Sequence, residues 1–204
     1  EKNGYITKSK KFSVLIDIGK ECLWKYRKEA STYRDELHKN AEYFSALEIA
    51  KMIKKCNKKN VTDYDTEDCQ NQFVLANCIK YTCSYEKANK EFEQIKTVYE
   101  STRNREILGI YLESQTEIVN NNIWMLNIKE SFSILNELKS VFEELYTNQQ
   151  IVGHHLTYAF LNYYNRSMFV NYMIDKGSGF DFKKAIEYSE KLKCKEYVAF
   201  AKMD

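Results

Sequence analysis

The chain has no proline in 204 residues and only six glycines. An average chain of this length carries roughly ten of the first and fourteen of the second. Proline breaks helices by removing a donor and clashing with the preceding turn, and glycine supplies the positive-φ corners of tight turns. A sequence short of both cannot build the many turns of a sandwich or barrel, nor a collagen-like or linker segment. The expectation is an all-α fold. With 44% hydrophobic residues the chain can bury a core, and its length fits a single domain over 1–204, which can be a fragment of a longer chain.

Charge and cysteine usage narrow the function classes. The 31 basic and 29 acidic side chains leave a net charge of +2, which argues against nucleic acid as the partner. The run Lys51, Lys54, Lys55, Lys58, Lys59, followed by Asp63, Asp65, Glu67 and Asp68, fits a helix C-terminus and the acidic cap of the next helix. None of the six cysteines has C-x-x-C spacing. Cys69, Cys78 and Cys83 lie in apolar stretches, as expected of reduced thiols in a cytoplasmic protein. No run of about 18 uncharged apolar residues occurs. The nearest approach, Ile151 to Ile174, contains Arg166 and several polar residues and is expected to be a buried helix, with no membrane involved.

Catalytic signatures are missing as well. The chain has no phosphate loop, dinucleotide fingerprint, H-E-x-x-H or nucleophile elbow. His154-His155 has no carboxylate or cysteine one helical turn away to complete a metal or acid–base site. No enzyme, metal or cofactor is expected. The enzyme alternative is a helical nuclease of a defence system, and Arg34 and His38, with three residues between them, are too close for the Arg and His of that class.

The helical pattern repeats. Tyr43/Ala46/Ile53, Tyr85/Ala88/Ile95, Ile128/Ser131/Leu138 and Phe182/Ala185/Leu192 each place a small residue three after a large one and a further apolar residue seven beyond it. A small side chain lets a neighbouring helix approach, and the residue seven later returns to the same face. The preceding segments supply partner helices, so about four antiparallel hairpins are expected, with second helices starting near 43, 85, 128 and 182. A Gly-rich loop at Lys176-Gly177-Ser178-Gly179 interrupts the last.

Ser84-Tyr85-Glu86-Lys87-Ala88 and Asp181-Phe182-Lys183-Lys184-Ala185 resemble the turn into the second helix of a tetratricopeptide-like repeat. That resemblance implies hairpins stacked as a right-handed superhelix, with an irregular helical bundle as the alternative, and a concave groove that holds a protein or peptide ligand. Counting eleven back from each small residue gives Asp35, Asn77 and Asn120, and, with three residues allowed for the loop, Asn171. Peptide-binding members of that family are similar in placing asparagines there, where an amide can both donate to and accept from a peptide main chain. Phe73, Lys80, Tyr81 and Trp124 are the expected neighbours: Lys80 for a carboxylate, the rings for side chains. Such a module could be the sensing part of a bacterial regulator. The competing function is structural: the aromatic stretch 151–174, with Tyr158, Phe160, Tyr163, Tyr164, Phe169 and Tyr172, as a homo-oligomer surface.

Overall fold

A computed structural model describes residues 27–57 and 59–175, together with Glu187, Glu190 and Lys191. The expected helix at Phe182/Ala185/Leu192, the loop at 176–179 and the N-terminal segment before residue 27 lie outside the described residues. Among the described residues the fold is all-α, with no strand. The helices are α1 (Arg27–Lys39), α2 (Tyr43–Cys56), α3 (Thr66–Thr82), α4 (Tyr85–Thr102), α5 (Arg105–Trp124), α6 (Ile128–Thr147) and α7 (His154–Asp175), with a 3-10 turn at Val61–Asp63 before α3. The chain divides into two compact units, one ending at Thr102 and the other beginning at Arg103.

In the first unit each helix packs on its neighbours in the chain, α1 on α2, α2 on α3 and α3 on α4, with a smaller contact between α1 and α3. The small residues Ala46 and Ala88 are fully buried, and Ile53 and Ile95 lie inside on the same faces. On α4 the residues Ala88, Phe92, Ile95 and Val98 form a completely buried stripe of helical period. Enclosing a side chain the size of Phe92 contributes about 1.5–3 kcal/mol. A second core joins Ala30, Tyr33 and Leu37 of α1 to Leu47 and Ile49 of α2 and to Val74 and Leu75 of α3.

Being enclosed on several sides, α3 buries polar as well as apolar residues. The guanidinium of Arg34, 1% exposed, donates to Asp35 Oδ1 from Nε and Nη2 and to Asn71 Oδ1 from Nη1. Asn71 donates in turn to the Ala50 carbonyl of α2. At the N-terminus of α3, Asp65 and Asp68 form a reciprocal capping box. Asp68 also receives Arg27 at 2.6 Å, Asn57 at 2.8 Å and Lys59 at 2.9 Å. The lysine-then-aspartate run of the sequence therefore closes on itself. Although burial works upward on Asp65, the Lys59 ammonium and the Asp68 backbone N–H hold its carboxyl down at about 2. Of the cysteines, Cys69 and Cys78 are completely buried and burial pushes both thiols up to about 12, whereas Cys83, expected inside, is exposed because it caps the end of α3.

In the second unit α5 is the central helix. It packs on α6 and, more extensively, on α7. Leu112 and Val119 of α5 meet Leu135, Leu138 and Phe142 of α6 and Phe160 and Val170 of α7. The small residue of α6, Ser131, has no exposure, and its hydroxyl donates to the Val119 carbonyl on α5.

The helix ends show how a chain without proline and with few glycines turns corners. After α1, α5 and α6 the residues Ala41, Leu126 and Gln149 take φ of +58°, +62° and +55°. Glu42, Asn127 and Gln150 then donate back to the carbonyls of Leu37, Asn122 and Leu145. These are complete Schellman closures, each built without the usual glycine.

Candidate functional site

In the first unit, Phe73, Asn77 and Tyr81 follow one another at four-residue intervals and so occupy one face of α3. Phe73 is buried against Phe92, with ring centroids 5.6 Å apart. Asn77 is 7% exposed and makes no hydrogen bond among the described residues. Its amide atoms are not sealed from solvent. Tyr81, one turn on, is 54% exposed and stacks on Tyr43, the first residue of α2, at 4.3 Å. His38, at the end of α1, lies edge-on to Tyr43, and the Lys80 ammonium is 5.1 Å from the Tyr81 ring centre. Burial, with the neighbouring Tyr81 and Cys78, raises the Tyr43 hydroxyl pKa, and Lys80 opposes it. Burial also lowers the His38 pKa, against the pull of Asp35. Three helix ends thus supply a ring platform beside an amide with unused hydrogen-bonding capacity.

The second unit repeats this on α5. Asn120 is 9% exposed, makes no hydrogen bond among the described residues, and likewise keeps its amide atoms open to solvent. Trp124, four residues on, is 67% exposed. Glu113, Thr116 and Glu117 continue the same face toward the helix N-terminus. Thr116 is buried and donates to the Glu113 carbonyl. Glu113 is buried, and its carboxylate is in hydrogen-bond contact with Nδ1 of His155 on α7. Burial raises the Glu113 pKa, and the hydrogen bond from His155 works against it. His154, the exposed neighbour, packs its ring on Tyr158 at 4.4 Å.

This pairing was hidden from sequence inspection. The carboxylate that His154-His155 lacked within one helical turn comes from another helix, 42 residues away. Gly109 of α5 lies close to the same turn of α7: a Cβ built there would lie 3.1 Å from the Cβ of His155, so any larger residue would require α7 to give by a few tenths of an ångström. No set of three or more histidine, cysteine or acidic side chains among the described residues could hold a metal ion.

The anticipated Asn171 is half-buried on α7, and the loop at 176–179 through which its register was counted lies outside the described residues. The aromatic helix also divides: Phe160 and Tyr163 are core, while Phe169 and Tyr172 are exposed at its far end. A cavity of about 420 Å³ lined by Tyr146, Thr147, Gln149 and Ile151 opens near the end of α6 and contains none of the site residues.

No known protein family, no curated protein and no solved structure matches this chain. Over its described residues the protein is all-α with seven helices, none of them long and apolar enough to cross a membrane.

Proposed function

We propose that this protein is a tetratricopeptide-like module that binds extended peptide, each unit offering its own main-chain contact: Asn77 beside Tyr81 in the first and Asn120 beside Trp124 in the second. The observation that carries this reading is the repetition. In each unit an asparagine at least nine-tenths buried, with no hydrogen-bond partner among the described residues but still open to solvent, stands one turn before an exposed aromatic ring. Both asparagines lie eleven residues before the buried small residue of the next helix, Ala88 or Ser131.

Because these amides still reach solvent, a peptide bond laid across one replaces water there: the amide donates to its carbonyl and accepts from its N–H, for about 0.5–1.5 kcal/mol net per hydrogen bond. Such contacts read main chain and leave selection to the neighbouring rings. The nuclease alternative is disfavoured by Arg34, whose guanidinium is buried and held by Asp35 and Asn71. The test is an array of capped decapeptides of random sequence probed with the wild-type protein and with the Asn77→Ala/Asn120→Ala variant. Peptides retained by the first and released by the second, at unchanged circular dichroism, support the reading. An array that retains no protein contradicts it.

A further inference from the structure

We infer that the junction of α5 and α7 in the second unit is an acid-strengthened latch, in which the buried carboxyl of Glu113 takes up a proton below neutral pH and α5 then holds the first turn of α7 more firmly. The latch does not depend on a peptide ligand. The Glu113 side chain is 10% exposed and meets Nδ1 of His155, itself 26% exposed, on a helix that is not its neighbour in the chain. One turn earlier, Gly109 brings the α5 backbone against the Cβ of His155 and the backbone of Leu156. Leu112 of α5 and Phe160 of α7 belong to one buried apolar cluster. The joint therefore holds an ionisable group where two helices approach closely.

Among the described residues, the charged groups that act on Glu113 are His155 and His154 of α7 and Glu117 of α5. No lysine, arginine or tyrosine is among them. The other helix packed on α5, α6, supplies none: its Lys129, Glu130, Glu137, Lys139, Glu143 and Glu144 are all exposed. With the imidazole neutral, an ionised Glu113 leaves a negative charge inside the joint, and one proton from solvent, on either partner, brings the pair to zero. A site of low dielectric favours the neutral pair. Burial is accordingly the largest influence on Glu113 and raises its pKa, with Glu117 adding to it and the two histidines working against it. A carboxyl raised in the folded state contributes stability that is complete below its ordinary value of 4.5 and is lost as pH rises through the raised value. The first unit responds with the opposite sign. Burial lowers the His38 pKa, so that unit loses stability as pH falls through the ordinary histidine value of 6.5.

The experiment is amide hydrogen exchange of the intact protein at about pH 7.5 and about pH 5.5, with protection corrected for the intrinsic exchange rate at each pH. Residues 107–113 of α5 and 156–160 of α7 should gain protection by about threefold or more at the lower pH, and residues 69–78 of α3 should not gain. Glu113→Gln, nearly isosteric and unable to ionise, should abolish the gain. In the wild type, whether or not that variant folds, the Glu113 carboxyl read by carbon-13 NMR should titrate above the ordinary carboxylate range. The latch is overturned by protection that is equal or lower at the acid pH, by a gain that α3 shares equally or that Glu113→Gln retains, or by a Glu113 carboxyl that titrates at or below its ordinary value.

Discussion

Both units surround a central helix with other helices, yet they deal with buried polarity by different chemistry. In the first, α3 is flanked by its chain neighbours and buried charge is neutralised in place: Arg34 by Asp35 and Asn71, and Asp68 by Arg27 and Lys59. In the second, the buried polar groups of α5 are mostly neutral. They include Ser114, Gln115, Thr116 and Asn120 to Asn122, with Glu113, which meets His155 of α7, as the exception. The helix contacts differ as well, since α7 packs chiefly on α5 across Gly109, whereas α3 packs mainly on α2 and α4. One unit is thus pinned by ion pairs with strict partners and the other by close backbone approach. The same asparagine-and-aromatic arrangement survives in both, which is hard to explain as a by-product of either way of packing.

The largest effect expected from this contrast is at Arg34. Arg34→Ala leaves Asn71 without its donor and opens a hole in the first unit, and should destabilise the protein by about 2–4 kcal/mol in urea unfolding. A loss below 1 kcal/mol would mean that the buried Arg34 guanidinium does not pin that unit. Next is Gly109→Leu, which forces α5 and α7 apart and should cost about 1–3 kcal/mol. Its local signature is a fall of the raised Glu113 pKa toward the ordinary carboxylate range by NMR, while the Asp65 carboxyl stays down at about 2. Equal disturbance of Asp65 would show that the two units do not respond separately. The smallest effect concerns the corners that both units share. Ala41→Gly and Gln149→Gly relieve positive φ and should each raise stability by about 0.5–1 kcal/mol, net of the extra freedom glycine brings to the unfolded chain.

Much of the helical framework was legible because it depends on local spacing. Ala46, Ala88 and Ser131 mark the starts of α2, α4 and α6, where a small residue must sit under a neighbouring helix. The scarcity of proline and glycine pointed to helices, though not to the way they end. That Ala41, Leu126 and Gln149 would adopt positive φ has no sequence signal, since none is a residue that favours it. Arg34 reads as an ordinary surface arginine until α3 closes over it. The Glu113–His155 contact joins helices that are not consecutive, and no spacing within either helix reveals it. Asn77 and Asn120 were singled out by counting from the small residues, and Asn171 by counting through a loop that lies outside the described residues.

The central claim is that Asn77 and Asn120 hydrogen-bond a peptide main chain. It is tested most directly by isotope-edited NMR of the side-chain amides while a peptide selected from the array is added. The account predicts that the NH2 resonances of Asn77 and Asn120 move as the peptide saturates, and that Ala at both positions weakens binding at least tenfold, about 1.4 kcal/mol, without loss of helix. A peptide that binds with undiminished affinity to the double variant, leaving both amide resonances of the wild type in place, would contradict it.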